Sequence, residues 1–197
     1  AKIGGKDKEQ DLFRYVDENG NDFDIKAEHI NEYLNQKMEN KYTAKDFRTW
    51  AASWKTGARL AMVSEASEKD ISELPELHRE AVEKSEKDGF PPYVEWCGRY
   101  LKGTEGLAKL AESGNLPGET DKERMATMLA VIDTVAADLG NTRAVCRSSY
   151  IRPMFMEDWD NRVFLDRWNE AKKGQIRGEN MWPDETAAIN YMKKWEE

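Results

Sequence analysis

Residues 121–139 place Met125, Met128, Leu129, Ile132, Val135, Ala136 and Leu139 at intervals of three and four. That spacing is one face of an α-helix, and it predicts a helix over the whole stretch. Gly140 follows directly, as the residue type that ends helices in the left-handed conformation. A helix this long and this apolar needs partners to cover it, so the fold is expected to be mainly α.

Most of the remaining chain carries the same period. Ile30, Tyr33, Leu34 and Met38 share a helix face. Thr43-Ala-Lys-Asp46 is a helix start, with a threonine that can cap and an acid suited to the positive helix end. The helix behind it is expected to run to about Val63, with Phe47, Trp50, Trp54, Ala58 and Ala61 as its apolar face. Residues 142–151 should form a short helix ended by Pro153. Near the C-terminus Pro183 suits a first helical position, with Ala188, Tyr191, Met192 and Trp195 on one face. The exception is the alternating Leu12–Val16, then Asn19-Gly20, then Phe23-Asp24-Ile25. This reads as a β-hairpin with φ > 0 in its tight turn. A lone hairpin is marginal, so it is read as the last pair of a sheet whose other strands precede it.

Along its length the chain divides into a flexible, charged lead-in (1–11), a main domain (12–153) and an aromatic-rich helical extension (154–197). Within the middle part, residues 64–120 read as an insertion. Residues 64–88 are charge-dense: a solvated helix pair broken at Pro75, or a partly mobile insertion. Phe90-Pro91-Pro92 and Asn115–Gly118 mark further breaks. The aromatic tail reads as core or docking surface ahead of a base-stacking platform.

Composition excludes several classes. No stretch approaches the ~18 apolar residues of a membrane-spanning helix, and residues 1–10 have no apolar signal segment. The two cysteines, Cys97 and Cys146, form no CxxC and are read as buried thiols in a reducing compartment. Two histidines, His29 and His78, offer little to a metal centre. The formal net charge of −8 argues mildly against a nucleic-acid partner.

Two local features run against that charge. On the helix that starts at Thr43, Arg48, Lys55 and Arg59 fall within about 20° of one direction, with Lys45 about 60° away. Such a stripe fits a solvated face as well as a binding surface. The second feature is residues 139–153, LGNTRAVCRSSYIRP, with no acid between Asp138 and Glu157. Arg143, Arg147 and Arg152 there surround Ser148, Ser149 and Tyr150. Arginines attract phosphate and stabilise both phenolate and phosphorane charge, so Tyr150 can be a nucleophile. A packed tyrosine on a capped helix fits the same pattern.

Together LFRYVDENGN, INEYLN, YTAKDFRTWAAS and LGNTRAVCRSSYIRP resemble the catalytic domain of type IB DNA topoisomerases, in the bacterial, poxvirus-like branch. The resemblance covers residues 12–63 and about 121–153. It implies a helical catalytic domain of the type IB topoisomerase and tyrosine recombinase kind, preceded by a short hairpin. It implies relaxation of supercoiled DNA through a 3′-phosphotyrosyl intermediate, without ATP, metal or other cofactor. By position, Arg48 falls on an arginine that contacts the scissile phosphate. Asn141 falls where other branches carry histidine, as a donor to a non-bridging oxygen. Tyr150 falls on the nucleophile, and Lys45 on a DNA-contacting lysine. Lys55, Arg59, Arg143 and Arg147 are expected to join Lys45 in binding double-stranded DNA.

The family also uses an arginine and a general-acid lysine upstream of the hairpin, and residues 1–11 resemble neither. The chain is therefore expected to be a C-terminal part whose partner is the N-terminal part of the same enzyme, in a cytoplasmic, nucleoid-associated setting. A tyrosine recombinase would carry HxxR, which neither histidine provides. A non-catalytic DNA-binding module and a plain helical scaffold complete the alternatives.

Overall fold

The computed structural model describes residues 14–38, 41–88, 91–174, 176 and 178–195. The lead-in, Leu12 and Phe13 lie outside the described residues, as do the side chains of His78 and Cys97. The chain forms two compact units, residues 1–48 and 49–197.

In the first unit, β1 (Arg14–Val16) pairs antiparallel with β2 (Asp22–Asp24), with Tyr15 opposite Phe23. Their rings stack at 5.3 Å between centroids. The turn has the expected φ > 0 residue, at Gly20. Gly20 is at φ +86°, and its N–H donates to Asp17 O at 3.0 Å, while Asp17 N–H donates to Asn21 O at 3.0 Å. This is a three-residue connection with one left-handed residue, and Asp17 Oδ1 accepts from the N–H groups of Asn19 and Asn21. Helix α1 (Ala27–Met38) follows, with none of its residues buried. His29 is exposed and accepts the Lys26 N–H through Nδ1 at 3.2 Å.

Helix α2 (Ala44–Glu65) begins at the predicted signal with the roles exchanged. Asp46 accepts both the Thr43 N–H at 2.8 Å and the Thr43 hydroxyl at 2.7 Å. Of the expected apolar face, Ala61 is buried and Trp50, Trp54 and Ala58 pack against the core, but the most deeply buried residues lie beside that stripe. Ala52, Ser53, Thr56, Gly57, Leu60, Ala61 and Val63 are buried, whereas Trp50, Trp54 and Ala58 are half-buried and Phe47 is exposed. A close approach selects these small residues. A Cβ on Gly57 would lie 2.6 Å from the Trp168 ring and 3.1 Å from that of Phe155.

The second unit continues with α3 (Glu68–Asp88), α4 (Pro91–Glu112) and α5 (Asp121–Asp138). Helix α3 runs through Pro75 without breaking, so the charge-dense segment is one helix rather than a broken pair. It packs on α4, and α4 packs on α5. Pro91 and Pro92 open α4, where proline's missing N–H costs nothing. Helix α5 starts in a capping box between Thr120 and Glu123. It is buried on more sides than its apolar stripe predicts, because Thr127, Ala130, Thr134 and Ala137 are covered too.

Four short helices follow: α6 (Arg143–Ser149), α7 (Pro153–Asp160), α8 (Phe164–Ala171) and α9 (Pro183–Trp195). Pro153 opens α7 rather than ending α6, which stops at Tyr150. The tail is core: Phe155, Trp159, Phe164, Trp168 and Tyr191 are fully buried with Leu60, Met128, Val131, Ile132 and Val135. Each such side chain contributes about 1.5–3 kcal/mol by burial. The Tyr191 hydroxyl donates to Asp158, which also takes the Arg167 Nη1 at 2.7 and 2.8 Å. This polar node joins α7, α8 and α9. Trp182 departs from the pattern at 71% exposed.

Candidate active site

The turn between α5 and α6 is built by Gly140. Its φ of +65° lets its N–H donate to Ala137 O at 3.1 Å while the Asn141 N–H donates to Ala136 O at 2.8 Å. These two bonds are a Schellman motif, which pins the Asn141 backbone to the end of α5. On the other side, Thr142 caps α6: its hydroxyl accepts the Val145 N–H at 3.3 Å. Asn141 is thus held between two helix ends. Its Nδ2 is buried and has no hydrogen-bond partner among the described residues. A buried amide donor with nothing to donate to is costly unless a ligand supplies an acceptor.

Helix α6 puts Tyr150 at its other end. The Tyr150 N–H donates to the carbonyl of the fully buried Cys146 at 3.1 Å. The side chain is half-buried against the core. Ser53, on α2, locks the segment behind it. The Ser53 hydroxyl donates to Thr49 O at 2.7 Å, lies 3.4 Å from Tyr150 O, and accepts the Arg152 N–H at 3.0 Å. Sequence reading passed over Ser53, because a serine inside a helix ordinarily bonds back to its own turn and signals nothing.

Arg143 makes a two-pronged pair with Asp133 of α5, with Nε to Oδ1 at 2.7 Å and Nη2 on Oδ2. Hydrogen bonding to that carboxylate raises the arginine's pKa above its ordinary value. Arg147 lies one turn further along α6 and is exposed. Asn141, Thr142, Arg143 and Arg147 line one cleft of about 760 Å³, whose other walls include Leu129, Asp133 and Ala136 of α5 and Lys102 of α4.

Lys55 and Arg59 are placed elsewhere. Lys55 Nζ lies 2.7 Å and Arg59 Nη2 2.5 Å from Asp138 Oδ2. Arg59 also donates to Thr134 Oγ1 at 2.9 Å and lies over the Tyr100 ring at 5.2 Å. Burial raises the Tyr100 phenol above its ordinary pKa, and the Arg59 charge opposes that. The basic stripe is therefore no solvated face at these two positions. Asp138, with 8% of its side chain exposed, holds both cations against α5. Lys45 and Arg48, on the first turns of α2, belong to the first unit; Lys45 is exposed and Arg48 half-buried.

A mainly helical fold with a short hairpin ahead of it is that of a type IB topoisomerase core. The family model for the catalytic core of eukaryotic DNA topoisomerase I matches residues 2–164, and the chain belongs to that family. No curated protein and no solved structure matches it. The family makes it a DNA topoisomerase, an isomerase whose substrate is DNA. Among the described residues no helix is long and apolar enough to cross a membrane.

Proposed function

We propose that this chain carries the strand-cleaving half of an ATP-independent topoisomerase, with Tyr150 as nucleophile. The Tyr150 oxygen attacks a phosphodiester in line and gives up its proton. A bond from phosphorus to the tyrosine oxygen forms, the bond from phosphorus to the 5′ oxygen breaks, and that oxygen takes a proton. The broken strand rotates, and the 5′ hydroxyl attacks the 3′-phosphotyrosine to reverse the step. The phosphotyrosyl ester conserves the bond, so no nucleotide is consumed.

Asn141 is assigned the donor to a non-bridging oxygen, and Arg48 keeps the phosphate-contacting role that the family resemblance implies. Hydrogen bonding, unlike proton transfer, is open to asparagine as well as histidine. Asparagine here supports the bacterial, poxvirus-like branch. Lys45 and Arg147 are assigned to the DNA backbone. Arg143, Lys55 and Arg59 act on the site through the carboxylates that hold them. The reading includes an upstream arginine and a general-acid lysine from the N-terminal part of the same enzyme.

The observation that carries this reading is the unpartnered Asn141 Nδ2, fixed at one end of the helix that ends in Tyr150. The test is covalent trapping on a nicked suicide duplex, with this chain alone, with an added upstream half, and with Tyr150→Phe in both. A Tyr150-dependent adduct in either setting is expected. DNA binding with no adduct in any arm would leave a binding module in place of an enzyme.

A further inference from the structure

Helix α4 lies in the segment between the two sequence blocks that carry the family resemblance, yet it is built tightly onto α5. A Cβ on Gly103 would lie 2.7 Å from Thr134 Cγ2 and 3.0 Å from the Thr134 backbone nitrogen. One turn along, a Cβ on Gly106 would meet Ala130 Cβ at 3.6 Å. Glycine at 103 therefore brings the two helices into near-backbone contact, which fixes the height and rotation of α4. Tyr100, over the Arg59 guanidinium, adds a second anchor.

Lys102 is set by that seating. It is exposed, it lines the cleft that also holds Asn141, Thr142, Arg143 and Arg147, and no carboxylate among the described residues pairs with it. Among the described residues Asp133 is the one acid in the cleft wall, and Arg143 already occupies it in two-pronged fashion. The cleft thus presents the charges of Lys102 and Arg147 in excess of its acid, beside a buried amide that lacks an acceptor. A polyanion whose successive phosphates repeat every few ångströms fits such a surface.

We propose that Lys102 is a DNA-backbone contact, carried by α4 to a phosphate next to the one that Asn141 holds. The inference rests on the proposed function, since it takes the Asn141 cleft as the DNA-binding face. It adds to that reading a function for residues 64–120: a helical arm that widens the footprint on the duplex. The contact is to phosphate and not to a base edge, so it does not discriminate sequence.

The test is equilibrium binding of this chain to duplex DNA over a salt series, comparing wild type, Lys102→Ala, Lys102→Glu and Lys109→Ala. Lys109 is an exposed lysine of α4 outside the cleft. Losing one phosphate contact should lower the slope of log affinity against log salt by about 0.9, or about eightfold in affinity at 0.1 M salt. Lys102→Glu should lose more, Lys109→Ala should stay within twofold, and two unrelated duplex sequences should be affected equally. Circular dichroism of each variant shows that the fold is kept, as expected for exposed side chains. An unchanged slope for Lys102→Ala, or an equal loss in Lys109→Ala, overturns the proposal. Covalent trapping of wild type judges the underlying reading separately. A missing adduct with a reduced slope in Lys102→Ala removes the catalytic assignment and supports the contact, and a wild-type chain that binds no DNA removes both.

Discussion

Lys55 of α2 meets Asp138 of α5 at 2.7 Å, on the same carboxylate oxygen that takes Arg59. Asp138 stands three residues before Asn141, so this pair ties the end of α5 to α2 just ahead of the turn that presents Asn141. The same helix α2 supplies Ser53 to the backbone behind Tyr150. Both ends of α6 are thereby referred to one helix.

Removing the shared carboxylate should therefore do two things. Asp138→Asn leaves Lys55 and Arg59 facing each other without their counter-charge. The cost should be about 2–3 kcal/mol, somewhat below the range for a fully buried pair because Lys55 keeps 28% of its side chain exposed. Urea unfolding measures it. Adduct formation should fall further than the lost folded fraction explains, because the Asn141 turn loses its tether.

Gly140→Ala asks an alanine to hold φ +65°, although a methyl group there would touch nothing within 4 Å. The penalty is conformational, on the order of 1–2 kcal/mol. Relief by turning out of the left-handed region breaks the bond from the Asn141 N–H to Ala136 O. Cleavage by the variant should drop while duplex binding is retained, as single-turnover trapping and a binding titration would separate. Equal losses in both would argue against the turn as the device that places Asn141.

Asn141→Ala should slow covalent adduct formation by about 10²–10³-fold, the usual effect of losing one donor to a developing negative charge. Removing an unpartnered amide should cost the fold little. A thermal melt alongside the trapping assay shows both, and a variant as fast as wild type would exclude Asn141 from the chemistry.

Gly57→Ala overpacks the place where α2 crosses the aromatic cluster, since the added methyl meets Trp168 at 2.6 Å. The expected loss is about 1–3 kcal/mol, with a change in the near-ultraviolet signal of the buried tryptophan. Ala58→Gly, at the neighbouring half-buried position, serves as a comparison governed by helix propensity, about 1 kcal/mol.

Stability should also depend on pH through the helix starts. Thr120 and Glu119 donate to the Glu123 carboxylate and hold its pKa below the ordinary 4.5, with the Thr120 backbone N–H the largest cause. The Thr43 hydroxyl, then its N–H, holds Asp46 below 3.8 in the same way. A carboxyl lowered by folding stabilises fully above its unfolded pKa, and that contribution fades as pH falls through the folded value. The melting temperature should thus be flat from neutral pH to about 5 and fall below about 4. Glu123→Gln should melt lower than wild type at pH 7 and approach it in acid.

Much of this was readable in the chain. The period of three and four marked α5 and α9, the Thr43–Asp46 signal marked the start of α2, and Gly140 marked the end of α5, because helix period and end chemistry are local properties. The family pattern drew attention to Arg48, Asn141 and Tyr150 by position. What local pattern could not show was which neighbour each face would meet. The expected stripe of α2 packs against the core at Trp50, Trp54, Ala58 and Ala61, but Trp168 and Phe155 press on Gly57, so the small residues beside the stripe lie deepest. Pro75 looked like a break, but the turns around it pack on α4, and that packing carries the helix through one missing bond. Lys55 and Arg59 looked like free charge, and an aspartate some 80 positions along the chain holds them. The sequence alone determined the helical class, the period of α5 and α9 and the signals at the start of α2 and the end of α5, and its family pattern singled out the Asn141–Tyr150 block. Tertiary structure alone decided which charges are neutralised and which face the cleft, because ion pairing and close packing depend on distances between helices, which no local spacing encodes.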